Sequence, residues 1–205
     1  MNTVELFCGR KSFSNFMGGY GHGVYTVDNV ATFAPSLVWD LLKPFPEILD
    51  HKIAGADMVW MSPPCQTFSM ASGGTHWGKD RSPLTPAAVD GFMLLMVCER
   101  VADYCIENNK IFFIENPRAR ARWFLPAEWR QTVWYCQYGD TRAKPTDIWT
   151  NLLGWTGKQC HNGNRECHHQ PAPRGSKAGT QGLEGTALRS EIPGRLFEEL
   201  LNELS

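Results

Sequence analysis

Cys65 stands in the run Ser62-Pro63-Pro64-Cys65-Gln66, directly after the apolar stretch 57–61. Two consecutive prolines stop both a strand ladder and a helix, so the thiol must ride on a turn at a strand end. Free thiols ionise near about 8.5, and backbone N–H groups or a cation beside such a turn enlarge the thiolate fraction, which is the nucleophile. A lone cysteine is more often a small core residue, so its neighbours decide. Fifty residues on, a second apolar run, 111–114, stops at Glu115-Asn116-Pro117. A carboxyl group facing the same site as a thiolate can steady, or share a proton with, a substrate nitrogen that gathers negative charge. Asp28 and Asp40 also close short apolar runs, 24–27 and 37–39.

These side chains need elements to hold them. Residues 2–7 read as a buried strand, 8–14 as a turn-rich run, and a short helix ends at Gly18-Gly19. Further strands are expected at 24–27, 37–39, 57–61, 111–114, near 132–135 and around 148–149. Thr85-Pro86 offers an N-cap and a first-turn proline to a helix reaching about Asn108, with Val89, Phe92, Met93, Met96, Val97, Val101 and Tyr104 on its apolar side. The Gly-, Ser- and Thr-rich stretch 69–85 reads as a long mobile loop, and 195–204 as a closing helix. This alternation predicts an α/β fold, a doubly wound, mostly parallel sheet with helices on both faces. Such sheets bind ligands at the carboxyl ends of their strands, where all four residues stressed above fall. Three parts are expected: a catalytic core over 1–150, a small Cys/His/Gly-rich segment over 151–188, and a C-terminal helix over 189–205 that returns to the core.

Pro63-Pro64-Cys65-Gln66-x-Phe68-Ser69, followed by Glu115-Asn116-Pro117, resembles the signature of the DNA cytosine carbon-5 methyltransferases, compact bacterial or phage type. Leu6-Phe7-Cys8-Gly9 and Gln137-Tyr138-Gly139-Asp140-Thr141-Arg142-Ala143-Lys144-Pro145-Thr146 match further motifs in the same order, so the resemblance spans residues 2 to about 150. It implies a Rossmann-like, S-adenosylmethionine-dependent enzyme with Cys65 as nucleophile and Glu115 as its acidic partner. Arg142 and Lys144 match cationic positions that contact the catalytic loop and the cytosine carbonyl, Lys144 standing where the family usually has arginine. For the cofactor, the resemblance assigns Phe7, Gly9, Ser12, Pro63, Asp28 for the ribose and Asp40 for the adenine amino group. Arg10-Lys11-Ser12 departs from the small residues usual there. Lys11 either points outward or adds a cation near the methionine carboxylate, and the second reading would suit a carboxylated sulfonium cofactor.

The same resemblance implies duplex DNA as partner, with Gln66 and Ser69 on the catalytic loop and Arg165, Arg174 and Lys177 in the small segment contacting it. About forty residues separate Trp149 from Arg189, so recognition of two or three base pairs is expected. Cys160, Cys167, His168 and His169 include zinc donors, but paired C-x-x-C spacing is absent; a DNA-contacting loop is the favoured reading and no metal is expected. The net charge of −1 hides an asymmetry: residues 1–117 hold 8 Lys and Arg against 12 Asp and Glu, and residues 118–195 hold 12 against 6. A local basic face can bind a polyanion because attraction is screened over roughly 8–10 Å. There is no signal-like N-terminus and no long apolar run, so a cytoplasmic location in a bacterial or phage-infected cell and no membrane partner are expected. Two other readings share these residues: an RNA (tRNA) cytosine carbon-5 methyltransferase, and a catalytically inactive DNA-binding relative, which would have eroded Cys65 or Glu115.

Overall fold

The computed structural model describes residues 1–72, 74–170 and 190–204. Strands β1 (Asn2–Leu6), β2 (Gly23–Asp28), β3 (Leu37–Val38), β4 (Met58–Met61), β5 (Ile111–Pro117), β6 (Arg130–Trp134) and β7 (Pro145–Thr150) form one sheet in the order β3-β2-β1-β4-β5-β7-β6. β1 to β5 run parallel, and β7 is antiparallel to both β5 and β6. The helices are α1 (Ser12–Gly19), α2 (Glu47–Ala54), α3 (Pro86–Glu107) and α4 (Gly194–Asn202). None of the helices described is long and apolar enough to cross a membrane.

Alternation along each strand divides the core between the two faces. Val59 and Met61 of β4 join Leu49 of α2 and Leu95, Cys98 and Ala102 of α3 on one face. Met58 and Trp60 join Phe13, Met17, Leu196, Phe197 and Leu200 of α1 and α4 on the other. Trp60 stacks on Phe13 with centroids 5.2 Å apart and meets the edge of Phe197 at 5.0 Å. The C-terminal helix thus seals the face that α1 alone is too short to cover.

The start of α3 follows its sequence: Thr85 caps it, accepting from the Ala88 amide at 3.2 Å, and Pro86 fills the first turn. Its buried stripe is centred a little differently from the expected one: Ala88, Gly91, Leu95, Cys98, Ala102 and Cys105, spaced three and four apart, face inward with the expected Val101, while Phe92, Met96 and Tyr104 pack partly buried on its flank and Val89 and Met93 are exposed. Close approach accounts for the small residues. A Cβ on Gly91 would lie 2.7 Å from Thr67 Oγ1 and 3.2 Å from the Phe68 ring, so small residues let the loop after β4 lie against the helix.

Further local expectations are corrected. α1 begins at Ser12, inside the run expected to be turns, and α2 was not foreseen. β5 does not stop at Ile114, because β7 extends the ladder through Glu115↔Ile148 to Pro117↔Thr146. Within 69–85, the side chain of Trp77 is buried and stacks on Phe68 at 5.4 Å, and a Trp77–Pro83 bridge closes a turn. One aromatic anchor gives that polar stretch a fixed attachment.

Candidate active site

Strand order reverses between β1 and β4, and a sheet opens a crevice at the carboxyl ends of such a pair. The turn after β1 carries Phe7 and Gly9; the loop after β4 carries Pro63 and Cys65. Cys65 is half-buried, and its carbonyl accepts from the Phe68 and Ser69 amides at 3.1 and 2.9 Å. Asn116 Nδ2 donates to the buried Pro63 carbonyl at 3.1 Å, joining the ends of β4 and β5. Arg120 clamps the far side of the loop, its amide donating to Phe68 O at 3.1 Å and its guanidinium to Ser69 O at 2.8 Å. Trp77 Nε1 donates to Thr67 O at 2.8 Å. The thiol therefore sits on a turn held from three directions, with Gln66 exposed beside it.

Glu115 lies one residue beyond the β4–β5 ladder, buried in the part of β5 that only β7 pairs. Tyr135 Oη donates to Glu115 Oε1 at 2.9 Å, and Lys144 Nζ stands 4.0 Å from the same oxygen and 4.7 Å from the Tyr135 ring centroid. Burial, and then the Glu115 charge, push the Tyr135 phenol well above its usual range, so it stays a neutral donor. Arg142 is engaged differently. Its Nε donates to both oxygens of Asp140, at 2.8 and 2.7 Å, and its Nη2 to Glu191 O at 2.9 Å. Lys144 is thus the cation beside the carboxylate, and Arg142 ties the turn before β7 to the segment leading into α4. Sequence reading missed Tyr135, Asp140 and Arg120. An aromatic at the end of a strand and one arginine among several carried no distinguishing spacing.

The other side of the crevice is built around Asp28. Its Oδ2 accepts from the Gly9 amide and its Oδ1 from the Val30 amide, each at 2.9 Å, locking the β1 turn to the end of β2. Phe7 and Gly9 both have positive φ, 58° and 45°, and a Cβ on Gly9 would meet nothing within 4 Å. The backbone there is bare to an incoming ligand. Asp40 turns the chain after β3, its Oδ1 accepting from the Leu42 amide at 3.0 Å. Between these aspartates Trp39 Nε1 is buried with no hydrogen-bond partner among the described residues. A bare turn, two carboxylates and an orphaned indole donor suit a nucleoside bearing an amino acid. Ser12 opens α1 beside them. Lys11, at φ 61°, donates from Nζ to the Ala34 carbonyl across the crevice edge.

Of the residues expected to touch nucleic acid, Ser69 is half-buried under Arg120, Arg165 is exposed, and Arg174 and Lys177 lie outside the described residues. Part of the basic excess is neutralised internally. Arg122 pairs with the fully buried Asp147, its Nη2 to Oδ1 distance being 2.6 Å, and Lys158 pairs with Glu199. Cys160, Cys167 and His169 come together with Cys136, all four donor atoms within 4.8 Å of one another. No linear spacing pointed to Cys136, which is 24 residues upstream of Cys160.

No protein-family model matches the chain. The chain is 30% identical over 221 residues to the probable DNA (cytosine-5)-methyltransferase of Frog virus 3 (isolate Goorha), covering 98% of this chain and 99% of that protein. Among solved structures, the methyltransferase EhMeth of Entamoeba histolytica superposes with a TM-score of 0.51 at 16% identity, over 78% of this chain and 56% of EhMeth. A DNMT2 mutant of Spodoptera frugiperda gives 0.48 at 14%, over 84% and 58%. The chain spans little more than half of these solved structures, and the EhMeth likeness is one of fold. The near-full-length match to the viral protein carries the assignment: the chain belongs to the cytosine carbon-5 methyltransferase family.

Proposed function

We propose that the chain methylates carbon 5 of cytosine in duplex DNA, with Cys65 as covalent nucleophile and Glu115 as the group that steadies the ring nitrogen. The observation that carries this is the 3.1 Å bond from Asn116 Nδ2 to Pro63 O, which joins the strand ends bearing the thiol and the carboxyl. Carbon 5 of cytosine is too electron-poor to take up an electrophile until a nucleophile adds at carbon 6. The Cys65 thiolate forms that bond, and the displaced electron pair moves toward ring nitrogen 3. Tyr135 and Lys144 both engage Oε1 of Glu115, which fixes the carboxyl plane and presents Oε2 to that edge of the base. S-adenosylmethionine, held by the Phe7–Gly9 turn, Asp28 and Asp40, supplies an electrophilic methyl group when bound. After transfer, the carbon 5 proton passes to solvent, the carbon 6–sulfur bond breaks with its electron pair returning to Cys65, and ring nitrogen 3 hands back the proton shared with Glu115, which restores the aromatic ring and the free thiolate.

The methyl donor is preferred to a carboxylated one on the name of the viral relative, a probable methyltransferase. Duplex DNA is preferred as substrate on the name of the viral relative and on the basic excess of residues 118–195, to which Arg165, Arg174 and Lys177 belong. The base must leave the stack to reach the thiol, and the loop holding Gln66 and Ser69 is the element that meets it.

The test compares duplex DNA with folded tRNA at equal concentration in low salt, using radiolabelled S-adenosylmethionine. Label in DNA, and a covalent adduct with 5-fluorocytosine duplex that Cys65→Ser abolishes, are expected. Label in tRNA alone would overturn the substrate, and an adduct that survives Cys65→Ser would overturn the nucleophile.

A further inference from the structure

Residues 156–170 are held in place with almost no hydrophobic core. Their one buried side chain is His169, at 5% exposure. A segment that buries no apolar surface does not order itself against the loss of chain entropy, and small units of this kind are usually held by a cross-link or a metal. The cross-link is absent: Cys136, Cys160 and Cys167 are all free thiols. What the segment does offer is a set of donors. Cys160, Cys167 and His169 converge on Cys136, which the tight turn after β6 presents from the body of the protein.

We propose that Cys136, Cys160, Cys167 and His169 form a structural Cys3His zinc site that staples the segment after β7 to the end of β6. The sulfur-rich, four-donor set is the one a closed tetrahedral zinc site uses, and it disfavours the hard cations that take oxygen. His169 Nδ1 already lies 3.9 Å from Cys160 Sγ, and contraction of the 4.8 Å span by about 1 Å brings the donors to bonding range. Two amide side chains aim at the sulfurs: Gln137 Nε2 donates to Cys167 Sγ at 3.5 Å and Asn164 Nδ2 to Cys160 Sγ at 3.6 Å. Such N–H···S contacts are what metal-bound thiolates gather around themselves. The Gly163 amide points at His169 Nε2 at 3.2 Å; metal on Nδ1 places the ring proton on Nε2, so this contact gives way on loading.

The staple has a place in the fold beyond the segment itself. Gln170, one residue past His169, donates its amide to Thr141 O at 2.9 Å and bridges Arg142. His168 Nε2 lies 3.0 Å from Asp140 O. Metal at the four donors therefore fixes the segment against the turn that carries Arg142, two residues before Lys144. This holds whatever nucleic acid the enzyme modifies.

The test uses the full chain purified with zinc and reductant. Elemental analysis is expected to find about one zinc per chain, and cobalt substitution to give thiolate-to-cobalt charge transfer with intense tetrahedral bands. Cys160→Ser and Cys167→Ser should each lose both signals, while Cys65→Ser keeps them. Gln137→Ala should weaken zinc by roughly 10–100-fold without removing a ligand. Because ligand variants can fail to fold, the wild type is also stripped with a chelator: proteolysis within 156–170 should then appear while the far-ultraviolet circular dichroism of the sheet persists. Substoichiometric zinc in the wild type, zinc retained by Cys160→Ser and Cys167→Ser, or a Cys160–Cys167 disulfide in the zinc-purified protein would overturn the proposal.

Discussion

Glu5 sits in the middle of β1 on the face covered by α1, only 3% exposed, with Oε2 accepting from the Ser14 amide at 3.0 Å. Burial pushes its carboxyl from the ordinary 4.5 up to about 7, partly offset by contacts with Ser14 and Phe13 and by the charge of Lys11. A group that holds its proton more tightly when folded stabilises the fold fully below its unfolded pKa. That contribution is lost as pH rises through the folded pKa. The full rise corresponds to roughly 3 kcal/mol, most of it lost between pH 5 and pH 8. Glu5→Gln keeps the acceptor and removes the titration. Urea unfolding of both proteins from pH 5 to pH 8 should therefore show wild-type stability falling, relative to the variant, by roughly 2–3 kcal/mol. Other titrating groups cancel in the difference. If the two curves run parallel to within about 0.5 kcal/mol, Glu5 ionises as an ordinary carboxyl and the burial argument is wrong.

Tyr135→Phe removes the donor on Glu115 Oε1 without changing the packing of the ring; turnover should fall roughly 10–100-fold, from about 1.5–3 kcal/mol for a hydrogen bond to a charged group, with little change in substrate KM, as read by steady-state and single-turnover kinetics. Phe197→Ala opens a cavity against Trp60 and Phe13 and should cost about 3–5 kcal/mol in denaturant unfolding, and a loss below about 1 kcal/mol would show that α4 contributes little to that face.

The chemistry at the parallel strand ends was legible because proline, glycine and carboxylate punctuation is local. Prolines at 63 and 64 force the Cys65 turn, and Thr85-Pro86 announces α3, whatever the rest of the chain does. What escaped depends on partners distant in sequence. Small residues enter the inward stripe of α3 because Phe68 and Thr67 press against Gly91, and a pattern of large apolar residues, which finds Val101 but also the exposed Val89 and Met93, misses them. β5 runs past Ile114 only because β7 pairs with it from behind. Tyr135 and Cys136 matter through side chains that arrive from residue 115 on one side and from residues 160–169 on the other. No linear spacing carries that information.

The antiparallel β7 also sets an order of events during synthesis. When residues 1–117 have been made, the thiol and the carboxyl are both present, yet β5 is the open edge of a parallel sheet and presents Phe112, Phe113 and Ile114 to whatever strand comes next. At about 5–20 residues per second, some 2–7 s pass before Thr150 follows. Until then the edge invites pairing with another nascent chain. The strand that closes this hazard is the one that Lys144 leads into, so protection from aggregation and assembly of the acid's cationic neighbour occur in a single step.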